Sequence, residues 1–306
     1  MEHNKFDGLA VSSKLFICGL PIRLDSYKTC SFGCKYCFAN CRKVMEFKKE
    51  LQVCDTARVE RVIVQSQMGE GGTLLHQLIR EGITWHCGGM SDPFQPIEKE
   101  LGITRDLVDI SNRYGIEILF STKSDTTYGA NLDPELHSFQ LSVTNVHNDD
   151  IEPNVPNIKS RYRFYRQLKD NGFRVGIRIQ PFLPNISTEE IVDIFSDADN
   201  FTIEGIKLVP QNEEMKTDIL QRLGLTPQMF TQMGLLNLKP QYRLQLYEPI
   251  IERLKQYGIP YSISDNDLRK YGTNLCCCGD GLVGKFSTMN PTYLLKSNGS
   301  SRNKVC

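Results

Sequence analysis

The sequence predicts an α/β fold, a partial (β/α)6 barrel of the TIM type followed by a C-terminal α+β extension. Short apolar runs alternate with amphipathic stretches between about residues 14 and 210, and turn residues such as Asp133-Pro134 and Asn171-Gly172 fall between them. Strand–helix alternation of this kind argues for parallel βαβ units rather than an antiparallel sandwich. The chain has 306 residues, of which 40% are hydrophobic and 24% charged. That is the composition of a globular protein with a sizeable core.

In chain order, apolar and β-branched runs predict strands at 14–20, 83–87, 116–121, 139–144, 174–180 and 202–209. Helices are expected at 72–81, 98–114, 158–171 and 187–197, from apolar residues at helical spacing. In the 158–171 helix this places Tyr162, Tyr165 and Leu168 inward. Residues 1–210 are therefore read as the core. Residues 211–306 form the extension, with a helix at 241–257, a strand at 260–264 and a Gly-, Asn- and Ser-rich end. In parallel α/β architectures ligands gather at the C-terminal ends of strands, so residues just after each strand are the first candidates for chemistry.

Lys+Arg and Asp+Glu both total 36. With no net field, a nucleic acid or membrane would have to be met by a local patch. The opening MEHNKFDGLA lacks a signal-peptide pattern, and no apolar run reaches membrane-spanning length. A cytoplasmic protein with no membrane partner is expected. Eleven cysteines in a reducing compartment do not suggest a disulfide framework, and metal binding is the first explanation to test.

Cys30, Cys34 and Cys37 are spaced C-x3-C-x2-C, with Cys41 four residues on. Thiolates this close can wrap one face of an iron–sulfur cube, with Gly33 letting the loop bend. Three ligands leave one iron open to a small molecule. Zinc with Cys41 as fourth ligand, or a four-cysteine cluster, would use the same residues.

This spacing, with Tyr36 before the third cysteine and a βα repeat after it, resembles the signature of radical S-adenosylmethionine (SAM) enzymes. The segment Ile83-Thr-Trp-His-Cys-Gly-Gly-Met-Ser-Asp-Pro-Phe-Gln-Pro-Ile-Glu is similar to the spore photoproduct lyase branch of that family. So are Ser121-Thr-Lys-Ser, Leu141-Ser-Val-Thr and Gln180-Pro-Phe-Leu-Pro. The likeness covers about 14–210. It implies a [4Fe-4S] cluster on Cys30, Cys34 and Cys37 whose open iron chelates SAM. An electron from a flavodoxin- or ferredoxin-type donor then splits SAM to a 5′-deoxyadenosyl radical that abstracts hydrogen from substrate. It also implies cofactor-binding roles for Tyr36, Phe38, Gly88, Gly89, Lys123, Ser142 and Arg178, and a hydrogen-donor role for Cys87. Phe38 stands where the lyase has a tyrosine that relays a hydrogen atom, and the lyase's longer N-terminal region is absent. The branch is therefore implied, but not the lyase reaction. By resemblance the substrate is nucleic acid or a nucleobase. The alternatives are a radical SAM enzyme acting on a peptide or protein, and a non-enzymatic zinc- or cluster-binding module.

Cys276, Cys277 and Cys278 run consecutively beside Gly279. Adjacent side chains of an extended chain point to opposite faces. An auxiliary iron–sulfur cluster, a zinc site and a redox or hydrogen-donor thiol all remain open. Arg161-Tyr-Arg-Phe-Tyr-Arg and the acid-poor 282–306 stretch could follow a phosphate backbone. The first is read as a barrel helix and the second as a solvated tail.

Overall fold

The structure, a computed structural model, describes residues 3–12, 18–37, 39, 51–147, 150–208, 213–231, 236–274, 276–279 and 281–287. Its strands are β1 (Asn4–Phe6), β2 (Leu9–Val11), β3 (Ile22–Leu24), β4 (Gln52–Cys54), β5 (Trp85–Cys87), β6 (Ile118–Thr122), β7 (His137–Ser142), β8 (Arg174–Phe182), β9 (Phe201–Gly205), β10 (Lys207–Leu208), β11 (Leu236–Asn237) and β12 (Tyr261–Ile263). The helices are α1 (Thr56–Gln67), α2 (Leu74–Arg80), α3 (Glu98–Leu101), α4 (Ile103–Tyr114), α5 (Ile158–Asp170), α6 (Glu190–Ile194), α7 (Glu213–Arg222) and α8 (Pro240–Tyr257).

Eight strands form one sheet in the order β12-β9-β8-β7-β6-β5-β3-β2, parallel except for the β2–β3 pair. The molecule is thus a mixed α/β protein with a mostly parallel sheet. The two ends of this order, β12 and β2, are not paired with each other. Strand β12, from the extension, adds to the same sheet beside β9.

Most predicted elements fall where expected, with informative differences. Of the 14–20 strand, residues 14–17 lie outside the described residues and 18–20 are not strand; the parallel strand in that part of the chain is β3. The 98–114 helix is two helices, because Gly102 at φ +63° ends the first and precedes the second. The short strands β1, β2 and β4 and the helices α1 and α7 were not anticipated. Three positions by themselves carry too little periodicity to stand out, and only β5 and β12, set in longer apolar runs, did so.

Alternation sorts the sheet into two chemically different faces. Phe120 and Phe139 pair across β6 and β7 with ring centroids 5.7 Å apart. Phe139 meets Phe164 of α5 at 6.2 Å, so the helices cover this face. Burying each such ring contributes about 2 kcal/mol. In α5 the buried residues are Arg161, Phe164, Tyr165 and Leu168, whereas Tyr162 is 38% exposed. The inward placement expected for Tyr162 is therefore corrected. Arg161 takes the inner position because its guanidinium donates to the carbonyls of Ser142 (2.9 Å) and Asn145 (3.2 Å).

The opposite face is polar. Ser121 and Gln140 are register partners on it. His86 joins them through a 2.8 Å contact to Ser121 Oγ, and Arg178 through a 2.7 Å bond to Gln140 Oε1. The segment following β12 crosses this face. Asn274 bridges to Ser262, and the Cys277 carbonyl accepts from Gln140 and Thr202. Leu282 lies against Gly176, where a Cβ would come within 2.7 Å of it. Lys285 accepts from the Thr84 amide, and Ser287 donates to Gly19. Leu282, Val283, Phe286 and Ser287 are buried. The expected solvated tail is thus, through residue 287, part of the fold. Its apolar residues at 282, 283 and 286 find Leu20 and Leu119, a pairing invisible in one dimension.

Candidate functional site

The loop carrying the first cysteines follows β3 at the C-terminal end of that parallel strand, with Cys30 six residues after Leu24. It is clamped from several sides. Gln95 accepts from the Ser31 amide (2.8 Å) and donates to the Thr29 carbonyl (2.7 Å). Asn154 donates to Ser31, and the Lys35 amide donates to Ile151. Cys34 is buried, while Cys30 and Cys37 are half-buried. Burial, then the charge of Asp92, pushes the Cys30 thiol up to about 12. Burial likewise pushes Cys34 up to about 11 against the opposing pull of Lys123.

Bare thiolates are therefore disfavoured in this loop, and a cationic centre is what would stabilise them. Three soft sulfur donors from one loop fit an iron–sulfur cluster, which spreads its thiolates further apart than a single tetrahedral ion does. Phe38 and Cys41 lie outside the described residues.

Beside the loop, one carboxylate gathers the neighbouring donors. Glu152 Oε1 accepts from Lys123 Nζ (2.6 Å), Thr144 Oγ1 (2.7 Å) and the Tyr36 hydroxyl. Lys123 Nζ also sits 5.6 Å from the Tyr36 ring centroid. Burial alone would raise the Glu152 carboxyl. The cations Lys123 and Arg161 outweigh it and hold the group at about 2. Asp92 braces the other end of this group, accepting from Thr122 Oγ1 (2.7 Å) and the Lys123 amide (2.6 Å). Burial pushes Asp92 up to about 6 despite those bonds.

Gly88 follows β5 at φ +96°, where a Cβ would come within 2.2 Å of the Ser121 carbonyl. Any side chain there would force β5 and β6 apart. A Cβ on Gly89 would lie 3.7 Å from both Arg23 and His86. Ser142 ends β7 and its hydroxyl donates weakly to Gln180 O, at 3.4 Å. Arg178 is the direct register partner of Ser142 on β8, bonded to Gln140 and Gln180.

The structure thus groups Tyr36 and Lys123 beside the cysteine loop, with Gly88 and Ser142 at neighbouring strand ends. Arg178 reaches toward a different set of neighbours. Cys87 is fully buried on the face opposite His86, and burial pushes its thiol well up. Among the second group, the sulfurs of Cys276, Cys277 and Cys278 lie within 4.8 Å of one another. Cys276 is disulfide-bonded, contrary to the expectation from compartment, so Cys277 and Cys278 are the thiols this group presents. Cys277 is pulled well down by a hydrogen bond from Cys278, and further by Arg178 and Arg269.

Sequence reasoning overlooked Glu152 and His86. Glu152 is a single loop carboxylate in no spaced motif. His86 stood inside a quoted segment, yet only strand register shows which face it takes.

No family model matches the chain. An uncharacterized protein of Methanocaldococcus jannaschii is 25% identical over 186 residues, 57% of this chain and 65% of that protein. The chain thus spans just under two thirds of that relative's length. Among solved structures, spore photoproduct lyase complexed with dinucleoside spore photoproduct superposes with a TM-score of 0.58. The match is 13% identical and covers 83% of this chain and 80% of the lyase.

The chain has the spore photoproduct lyase fold.

A lyase mutant with bound AdoMet and the dinucleoside gives a TM-score of 0.57 at 13% identity, with the same coverage. SuiB of Streptococcus suis, bound to S-adenosylmethionine, gives 0.50 at 12% identity over 82% of this chain and 52% of SuiB. The lyase and SuiB are both radical SAM enzymes. Among the described residues no helix is long and apolar enough to cross a membrane.

Proposed function

We propose that this chain is a radical SAM enzyme whose sheet is a partial (β/α)6 barrel, with residues 1–210 as its core and 211–306 as a C-terminal extension. The observation that carries this reading is the placement of Cys30, Cys34 and Cys37 in a clamped loop at the C-terminal end of a parallel strand. Lys123, Tyr36 and Glu152 stand beside them, in a fold shared with a lyase that binds AdoMet. On this reading the three cysteines hold a [4Fe-4S] cluster. When bound there, and given an electron by a flavodoxin- or ferredoxin-type donor, such a cluster would supply the chemistry of reductive SAM cleavage to a 5′-deoxyadenosyl radical.

The chain's own residues have distinct tasks. Lys123 offers an ammonium for the SAM carboxylate, and Glu152 holds that ammonium in place until it is needed. Tyr36 stands against the adenine side. Gly88 and Gly89 bring backbone close to the methionyl end, because neither carries a Cβ. Ser142 supplies a hydroxyl at the end of β7. The Gln95 clamp and the Asp92 brace keep the loop and Lys123 in register with each other. The substrate class is nucleic acid or a nucleobase, in keeping with the dinucleoside bound by the lyase.

Anaerobic reconstitution with iron and sulfide tests the reading. The expected result is a brown protein with about four irons per chain, an electron paramagnetic signal altered by SAM, and release of 5′-deoxyadenosine on reduction. A colourless protein holding one zinc and cleaving no SAM would overturn it.

A further inference from the structure

The segment that follows β12 brings its three cysteines together at a turn. The Gly279 amide donates to the Cys276 carbonyl at 3.0 Å, and the Cys278 amide donates to Cys276 Sγ at 3.4 Å. From the sheet, Gln140 at 3.0 Å and Thr202 at 2.8 Å hold the Cys277 carbonyl. So fixed, the three sulfurs lie within 4.8 Å of one another. Cys276 and Cys278 are buried among Leu20, Leu119 and Leu282, while Cys277 keeps partial exposure.

Three features set this group apart from small residues that merely fill space. First, the sulfurs turn toward one another. The Cys278 thiol donates to Cys277, and Cys276 Sγ accepts from the Cys278 amide. A cysteine used as apolar filler needs no such arrangement. Second, the spacing suits one ion. A tetrahedral ion with metal–sulfur bonds of about 2.3 Å holds its thiolates about 3.8 Å apart. The three sulfurs need close by about 1 Å at most to reach that distance. An iron–sulfur cube gives each thiolate a different iron and spreads the sulfurs further, which consecutive residues at this separation do not match. Third, the charges agree. Three thiolates around a dication carry one net negative charge, and the guanidiniums of Arg178 and Arg269 both act on Cys277. Arg178 otherwise donates to the neutral amide oxygens of Gln140 and Gln180. On the other side, the leucines give the sulfurs a dry wall, which strengthens binding of a cation by thiolates.

We infer that Cys276, Cys277 and Cys278 form a mononuclear soft-metal site that takes Zn2+ once the Cys276 disulfide is reduced, with its fourth position open beside Cys277. Cys18 lies close enough for its charge to act on Cys278 but is not one of the group. A dithiol reductant opens the disulfide by exchange. Its S–S bond breaks, two protein thiols form, and the reductant leaves as a disulfide. Zn2+ then replaces the three thiol protons, which pass to solvent. The site takes one ion and no inorganic sulfide, unlike the loop of Cys30, Cys34 and Cys37. It stands independently of the proposed reaction.

The test is Zn2+ and Co2+ binding by the full chain, with the disulfide intact or opened by dithiothreitol that is then removed. A Cys30→Ala/Cys34→Ala/Cys37→Ala variant is compared with the wild type, because the first loop can also take metal. In the reduced variant the expected result is about one Zn2+ per chain. Co2+ should give the thiolate charge-transfer and strong visible bands of a tetrahedral site. With the disulfide intact those bands should be missing, and adding Cys277→Ser and Cys278→Ser should abolish them in the reduced chain. A second measurement needs no substitution. In the wild type reconstituted with iron and sulfide, Zn2+ should shield Cys276, Cys277 and Cys278 from iodoacetamide, read by peptide mass spectrometry. Absence of both the cobalt bands and the shielding overturns the inference. So do bands that survive the Ser substitutions, or equal binding with the disulfide intact. Iron and sulfide in place of zinc at 276–278 would mean an auxiliary cluster and also overturns it. Because the variant lacks the first cysteines, failure of the cluster to assemble leaves the zinc result intact and separately interpretable.

Discussion

Cys30, Cys34 and Cys37 are spread along a clamped loop at the strand ends, whereas Cys276, Cys277 and Cys278 are contiguous and lie across the polar face. Spacing separates the first three sulfurs and leaves two of them half-buried. Contiguity does the reverse. It packs Cys276 and Cys278 among Leu20, Leu119 and Leu282 and leaves Cys277 between them, partly exposed beside Arg178. A turn closed by the Gly279 amide on the Cys276 carbonyl gathers the three sulfurs within 4.8 Å of one another while leaving Cys277 the most exposed of the three. The same residue type is thus spread along a loop in one place and gathered in a turn in the other.

The largest expected effect breaks this comparison at its first member. Replacing Cys30, Cys34 and Cys37 together by Ala should reduce bound iron after reconstitution from about four to none, while Cys277→Ala should retain about four. Iron analysis decides it, and loss of iron in Cys277→Ala would show that the two groups are not distinct.

A second variant tests the segment that carries the later cysteines. Leu282→Ala opens a cavity against Gly176 and Leu119 and should lower unfolding stability by about 3 kcal/mol in urea. Iron content should be unchanged. A loss near zero would mean that the segment is a loosely attached tail.

Smaller effects sharpen the electrostatic contrast. Glu152→Gln removes the carboxylate that holds Lys123 and should cost about 2 kcal/mol. A raised KM for SAM with kcat little changed is the expected kinetic signature of a mislaid ammonium. At the polar face, His86 is held down to about 3 by burial, then by Arg178 and Arg23. Because its folded value lies below that of the unfolded chain, stability is fully present above about 6.5 and falls as pH drops toward 3. His86→Gln should remove up to one proton's worth of that slope. Carbon-13 titration of the ring, showing protonation near 6.5, would contradict this placement.

Much of the fold was legible because helical and strand periodicities differ, and residues 83–87, 116–121, 139–144 and 174–180 overlap observed strands. The three-residue strands β1, β2, β3 and β4 were not, whereas the equally short β5 and β12 lie inside longer apolar runs. Tyr162 was misplaced because apolar spacing favours the larger ring, whereas two backbone carbonyls favour Arg161. Within the site, Cys30, Cys34, Cys37 and Lys123 could be read from local spacing and strand ends. Glu152 could not, because its partners lie 8, 29 and 116 residues away along the chain.

The amino-acid sequence by itself determined the alternating α/β plan, the cysteine spacing and the strand-end candidates, because each depends on neighbours a few residues apart. Only the tertiary structure decided which face each strand residue takes, what residues 282–287 pack against, and which cations surround Cys277. Those outcomes depend on register and on contacts between residues as far apart as Thr84 and Lys285, which local pattern does not encode.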